Sequence, residues 1–448
     1  MALDRHIARL AKILVDNDGI SFDAAQARLR ALTLEVVVGP DAVSPAAHAA
    51  VLTAVSVGHR TFIGGVRVIG AIDQPLNSAL PIFASSLGEA AAEIGGSAFE
   101  GVPSRRIIIG TTEQPDAGWS VGVWWDGWLA GTAEVGAHLY EHSDNSLVGI
   151  AAAALAVGMA FEAERGRCHD LRSEINLWPT ATEDEEAPSF AEVFLPGAVW
   201  LIGLGNLGQA FLWALAALPY ADPRSVSLIL QDQDKISEEN WATSVLVKDG
   251  TYGVLKTRAG EQWALAKGFD VRRIDRRLVA TDRLWDDAPR VALSGVDKIE
   301  PRKYLAGVGF DCIVDVGLGR TANDFDRYRI SIFDSNRPID KHFAGQTDWP
   351  SDEATPIEEA YQRLEEEIGR CGMAQVAGAS VAAPYVSALA AAIAISRLIA
   401  VTSGCECPSN EVGKLSSLNA RRLAPVVKVD ARGGGHAGRA KLGMSTQG

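Results

Sequence analysis

Three glycines, Gly203, Gly205 and Gly208, spell GLGNLG directly after the apolar run AVWLI (198–202) and directly before a segment of helical periodicity, 207–218. In that strand-to-helix setting the first two glycines let the backbone turn tightly and approach a phosphate. The third lets the helix close on the strand, and the helix N-terminus offers unpaired N–H donors. Asp232 ends the next strand-like run (SVSLIL, 225–230), where a carboxylate can accept hydrogen bonds from ribose hydroxyls. Asp234 and Asn240 follow, then Lys256 in Gly253-Val-Leu-Lys256 at a helix start. A lysine there offers a point charge to β and γ phosphates, and Asn240 can orient a nucleotide. A phosphate-activating site needs this polar string, whereas a dehydrogenase has no general need of it. An NAD-dependent oxidoreductase stays open as the enzyme alternative because the glycine loop and Asp232 serve both.

The elements around these residues predict an α/β fold. A β-α-β unit carries the glycine loop, and further strands are expected at 271–274, 291–293, 312–316 and 328–333, giving a mainly parallel Rossmann-like sheet covered on both faces. The N-terminal half has similar ingredients, with strands near 66–72, 106–109 and 120–125 and a helix near 86–94. Its Gly64, Gly65 and Gly70 form no phosphate loop, so this half is expected to be a degenerate relative without nucleotide binding. Trp119, Trp124, Trp125 and Trp128 crowd its end and read as core or as an interface between halves. An internal match supports duplication: VGIAAAALAVG (148–158) and VSALAAAIAIS (386–396) share five of eleven positions, each at the end of its half. The acidic, proline-bounded stretch PTATEDEEAP (179–188) reads as an exposed connector. The organisation predicted is a degenerate half (1–178), a linker (179–194), an active half (195–402) and a C-terminal extension (403–448) with a flexible tail from Ala431.

Composition narrows the function classes. A charge of −14 repels phosphate backbones and anionic lipid, so neither nucleic acid nor membrane is an expected partner. The first helix, 1–15, lacks the apolar core of a signal peptide, and the uncharged run 376–396 reads as a buried helix. Five cysteines without a CxxC pair predict no structural zinc and no disulfide framework, and fit a reducing cytoplasm.

Taken in order, the glycine loop, D-x-D, Asn, G-x-x-K and a later Asp followed by Arg resemble the ubiquitin-activating superfamily, which includes the adenylyltransferases of molybdopterin and thiamine biosynthesis. The later element here is VALSGVDKIEPRKYL, with Asp297 and Arg302, and the resemblance runs over 195–400. It implies ATP as nucleotide, Asp297 as the residue that helps hold Mg2+, and the C-terminal glycine of a ubiquitin-like protein as acyl substrate. It further implies transfer to a cysteine and on to a ubiquitin-conjugating-like enzyme, and an arginine reaching the phosphates from the other half, for which Arg5 and Arg9 are candidates. The pairing of halves implies a homodimer or a pseudo-dimer within one chain. Thr243 stands where the family carries an arginine three residues after the Asn, leaving Lys235, Lys248 or Arg258 to compensate. The absence of zinc ligands and the fused halves resemble the divergent bacterial members encoded beside ubiquitin-like proteins in phage-defence operons. A non-catalytic scaffold that keeps the fold and only binds a partner is the reading from another class.

By the same resemblance Cys371, shortly before the Ala-rich helix of the second half, takes the role of thioester cysteine. Arg370 and the following helix would lower its pKa, and Gly369 and Gly372 would loosen the segment. Cys405 and Cys407, in a CEC loop, are the alternative. Cys312 reads as core and Cys168 as an inert residue of a polar helix. The stretch EEAYQRLEEE (358–367) reads as a solvated helix or a face for a basic partner.

Overall fold

The computed structural model describes residues 4–112, 118–137, 142–168, 170–179, 186–347, 381, 383–431 and 435–439. Two helices, α1 (Ala8–Asp18) and α2 (Phe22–Ala31), precede a sheet built from β1 (Thr33–Val38), β2 (Gly65–Gly70), β3 (Arg105–Ile109), β4 (Ser120–Asp126), β5 (Leu129–Ala133) and β6 (Ser173–Asn176). Its helices are α3 (Pro45–Gly58), α4 (Leu87–Glu93) and α5 (Ser146–Glu164). A short strand β7 (Leu195–Pro196) opens the second half. Its large sheet comprises β8 (Ala198–Ile202), β9 (Ser227–Gln231), β10 (Asp270–Ile274), β11 (Val291–Ser294), β12 (Cys312–Leu318), β13 (Arg327–Phe333), β15 (Asn410–Lys414) and β16 (Arg422–Leu423). Around it lie α6 (Asn206–Ala216), α7 (Lys256–Lys267), α8 (Ile299–Val308), α9 (Ile339–His342) and α10 (Pro384–Thr402). Three two-residue strands, β14 (Cys407–Pro408), β17 (Val426–Val427) and β18 (His436–Ala437), complete the described chain.

The two sheets repeat one plan. The first runs β2-β1-β3-β4-β5-β6, and the second runs β10-β9-β8-β11-β12-β13-β15-β16. Aligning β1 with β8 superimposes the order and every strand direction: four parallel strands, then two antiparallel ones. The matching Ala-rich segments lie inside α5 and α10, which occupy the same step of this plan, between β5 and β6 and between β13 and β15. Each helix is 19 residues long and apolar around most of its circumference, as a helix must be when protein surrounds it. By length and composition both are able to cross a membrane, yet here 83% and 100% of their apolar windows are buried in the protein. Small side chains permit this: a Cβ at Gly149 of α5 would overlap the Ala46 carbonyl oxygen of α3. In the second half α10 lies against both α5 and α6, so small-residue helices form the seam between the sheets.

Three expectations are corrected by tertiary contact. The tail is not free at 435–439, because β18 pairs with β7, His436 stacks on Phe194 at 4.6 Å and the Ala221 N–H donates to the Gly438 carbonyl. The connector is not solvated throughout, since the Trp128 indole donates to the Pro188 carbonyl at 2.8 Å and packs on Phe190. Cys168 lies in an irregular segment beyond α5 rather than in a helix. Cys312 is core, and Trp124, Trp125 and Trp128 are buried as expected.

Candidate nucleotide-binding site

The glycine loop leaves β8 at the point where the chain order reverses, with β9 on one side and β11 on the other, the crevice where doubly wound sheets hold ligands. Gly203 has φ of 85°, and a Cβ there would press on Gly295 at the end of β11. At Gly208 a Cβ would overlap the Gly203 carbonyl oxygen, so this glycine sets the approach of α6 to the loop. Above Gly205 a Cβ would meet nothing within 4 Å. Gly205 is also the N-cap of α6, and no side chain caps this helix. Asn206 adds a carboxamide whose two polar atoms are buried without a partner. Open space, uncapped N–H donors and an orphaned amide together suit an anion with several acceptor oxygens. The expected results separate two of these positions: Gly208→Ala lowers stability by about 1–3 kcal/mol, whereas Gly205→Ala melts with the parent protein.

Acid and base residues converge beside the loop. Asp232 follows β9, where its carboxylate accepts from the Leu204 N–H at 2.6 Å and the Asp234 N–H at 2.7 Å. Burial raises its pKa above the ordinary carboxylate value, opposed by the charge of Lys256. Lys256 starts α7 and donates to Asp234 at 3.1 Å. Burial pushes the Asp234 pKa up, but the charge and hydrogen bond of Lys256 outweigh it and the net shift is downward. The backbone enforces this meeting: 234–236 is zipped to 253–256 by Ile236 N–H to Val254 and Gly253 N–H to Ile236, each 2.8 Å. Asn240 spends its side-chain oxygen on Ser237, leaving its amide nitrogen for a ligand.

Asp297 is exposed at the turn after β11, and Arg302 is placed differently from a phosphate ligand. Arg302 is buried and donates to Asp315 at 3.1 Å and to the Val296 carbonyl at 2.6 Å, so it braces the turn carrying Asp297 from below. Thr243 is buried with its hydroxyl on the Asn240 carbonyl. Of the cations available to compensate, Lys248 lies 3.9 Å from Glu93, and Lys235 and Arg258 are exposed. Arg9 on α1 lies near enough to feel the charges of Glu239 and Asp297, which raise its pKa against the stronger lowering by burial, and its Nε is buried without a partner. Arg5 is exposed in the turn ahead of that helix. Among the described residues no group of three His, Cys, Asp or Glu side chains stands close enough to hold a metal ion.

Two residues that the sequence did not single out hold the loop between Asn240 and Lys256. Gln209 donates to the Leu204 carbonyl and accepts from the Leu246 N–H at 3.0 Å, joining the glycine loop to that crossover. Arg60, at the end of α3, donates to the carbonyls of Ser244, Val245 and Val247. It is almost fully buried, and burial pushes its pKa down to about 9. The first half thus grips the segment between Asn240 and Lys256 of the second. Arg60→Met is expected to raise amide hydrogen exchange at 244–247 and to cost about 3 kcal/mol; unchanged exchange there would refute the grip.

At the equivalent switch point of the first sheet, Asp41 fills the loop after β1. It accepts from the Thr111 N–H and hydroxyl, each at 2.7 Å, where Gly39 meets the end of β3. A carboxylate in that place repels phosphate. Cys407 is buried with its thiol pushed up to about 12, unsuited to act as a nucleophile, while Cys405 is half-buried. Cys371 and 358–367 lie outside the described residues.

Comparisons with known proteins follow the same division. Residues 33–174 match the family described as the BilD N-terminal domain, and residues 195–405 match the BilD C-terminal domain. The bacterial E1-like protein BilD of Collimonas sp. (strain OK412) is 36% identical over 409 residues, covering 87% of each chain. Among solved structures, one of E. coli MccB matches with a TM-score of 0.35 at 16% identity, and one of E. coli MccB with AMPCPP and SeMeT MccA with 0.34 at 15%. Each match covers 52% of this chain, and the first spans 63% of the MccB chain. With both halves matched in order and a relative of this identity along most of its length, the chain belongs to the BilD family of bacterial E1-like proteins.

Proposed function

We propose that the chain adenylates a carboxylate at the expense of ATP. A carboxylate oxygen attacks the α-phosphorus, the bond to the bridging oxygen breaks, and pyrophosphate leaves with the electron pair. The observation that carries this reading is the uncapped glycine loop, open above Gly205, flanked by Lys256 from α7 and Arg9 from the other half. Asp232 suits the ribose, the loop N–H groups the phosphates, and Lys256 the charge that grows on the leaving oxygens. Magnesium, when bound beside Asp297, supplies further neutralisation of that charge.

The substrate in this reading is the C-terminal glycine of a ubiquitin-like protein, which then passes to Cys371 as a thioester and on to a conjugating enzyme. The first half is an inactive adenylation-like unit that contributes Arg9 and the grip of Arg60, and Asp41 supports its inactivity. The domain limits 1–178, 195–402 and 403–448, a cytoplasmic setting, a role in phage defence and a pseudo-dimeric arrangement belong to the same proposal.

The deciding experiment is ATP–pyrophosphate exchange by the purified protein with a candidate ubiquitin-like protein, run against NAD(H) binding. Tight NAD(H) binding without exchange would establish the oxidoreductase instead. Binding of the modifier with neither activity would establish the scaffold. Cys371→Ala is expected to keep exchange near the parent rate while losing the reducible covalent adduct with the modifier. An adduct that survives this change and disappears in Cys405→Ala moves the thioester to the CEC segment.

A further inference from the structure

Beneath the turn that carries Asp297 lies a charge cluster with one cation too many. Asp315 on β12 is fully buried, and its Oδ1 accepts from the Ser294 hydroxyl at 2.8 Å and from Arg302 Nε at 3.1 Å. Its Oδ2 accepts from Arg329 Nη2 of β13 at 2.9 Å. Both guanidinium groups lie over the ring of Phe343, that of Arg302 at 5.4 Å and that of Arg329 at 5.0 Å from its centre. Two arginines therefore share one buried carboxylate, which leaves a net positive charge. Burial and the charge of Arg329 lower the pKa of neighbouring His342, so its protonation is disfavoured there.

The two arginines differ in what remains to them. Arg302 commits Nε to Asp315 and Nη2 to the Val296 and Val316 carbonyls, and its side chain is 9% exposed. Arg329 makes one hydrogen bond, to Asp315, its Nε is buried without a partner, and its side chain is 25% exposed. A guanidinium held by one oxygen, with N–H groups to spare and a solvent-facing edge, matches carboxylate geometry. A buried donor without an acceptor also carries a cost that a ligand would remove.

Its position sets the ligand class. The candidate ribose acid Asp232 follows β9 on one side of the glycine loop, whereas β12 and β13 lie on the other, beyond β11. There the charge lies away from the nucleoside end and close to the Asp297 turn. A carboxylate approaching a polyanionic nucleotide is repelled, and a pre-placed cation on its side of the crevice offsets that repulsion.

We propose that Arg329, steered by Asp315 and Arg302, binds the C-terminal carboxylate of the peptide substrate before its activation. This rests on the adenylation reading but is tested separately from it. The probe is glycylglycine, with glycylglycinamide as its uncharged control, added to the full chain labelled with nitrogen-15 in its arginine side chains. Spectra are taken with and without magnesium and a non-hydrolysable ATP analogue, and the Arg329 Nε–H signal is assigned by its loss in Arg329→Lys. The signal is expected to shift with glycylglycine and to stay in place with glycylglycinamide. In pyrophosphate exchange, Arg329→Gln should raise the KM for the modifier about 10- to 100-fold, keep the KM for ATP within twofold, and be partly rescued by Arg329→Lys. Equal shifts with both dipeptides, a shift caused only by the nucleotide, or a raised KM for ATP instead would overturn the assignment. Should Arg329→Gln fail to fold, the parent protein's response to the two dipeptides still decides. A protein that ignores the nucleotide altogether defeats the adenylation reading, and the nucleotide-free titration then decides Arg329 by itself.

Discussion

In ATP–pyrophosphate exchange, Asp297→Ala is expected to lose at least about 10³-fold in rate while melting within a few degrees of the parent. Both halves of that expectation follow from where the residue stands. Asp297 is exposed at the mouth of the crevice and Arg302 holds its turn from below, so the fold does not depend on the carboxylate. Its negative charge is what a metal ion bound to phosphates would need, and without it the charge on departing pyrophosphate is left to Lys256 and Arg9. Asp297 is also one of the two carboxylates whose charge offsets the burial of half-buried Arg9, so the substitution removes part of that compensation. Asp297→Asn, which keeps the shape, should be nearly as slow. Exchange at the parent rate in either variant would remove Asp297 from the site.

The largest loss of stability is expected at a residue remote from any chemistry. Glu411 on β15 accepts from Arg397 of α10 at 2.7 Å and from the Tyr328 hydroxyl of β13 at 3.2 Å, and the two charged side chains are 1% and 2% exposed. Arg397 also donates to the Leu177 carbonyl, where the first half ends. Glu411→Ala strands the arginine inside the helical seam, and breaking a buried pair from one side costs about 3–5 kcal/mol. Replacing both partners with apolar residues, Arg397→Met with Glu411→Leu, should recover most of that loss, since the cost lies in the uncompensated charge. Chemical denaturation of the two variants separates these outcomes; equal destabilisation would mean that the pair contributes attraction rather than burial cost.

Tertiary packing also sets two neighbouring cysteines apart. In the sequence Cys405 and Cys407 look alike, two thiols in one glycine- and proline-flanked segment. Folding puts Cys407 into β14 at the foot of α10, where burial pushes its thiol up to about 12, and leaves Cys405 half-buried. The tail has a similar history. Its glycines and small polar residues carry no pattern that marks a strand, yet β18 forms because β7 offers unpaired backbone groups and Phe194 offers a ring for His436.

What the sequence determined by itself is short-range. GLGNLG between an apolar run and a helix, Asp232 and Asp234 after the next run, and Lys256 at a helix start are separated by one β-α-β step, and local backbone geometry fixes each of them. The strands of the second sheet were legible for the same reason, since buried parallel strands are continuous apolar runs. β1 (TLEVVV) and the near-featureless α3 carry no clear period in the sequence, because the glutamate and the alanines hide it until Glu35 meets Arg67 and Arg106 and α3 meets α5. Only the tertiary structure brought Arg9, Arg60 and Asp297 around one loop across more than two hundred residues of chain, turned Arg302 downward onto Asp315, and set Asp41 in the loop of the first half. A lone arginine in a sequence has many carbonyls and carboxylates to choose from. Which ones it keeps is settled by the packing of the small-residue helices between the two sheets, because only that packing fixes the distance across which a guanidinium must reach.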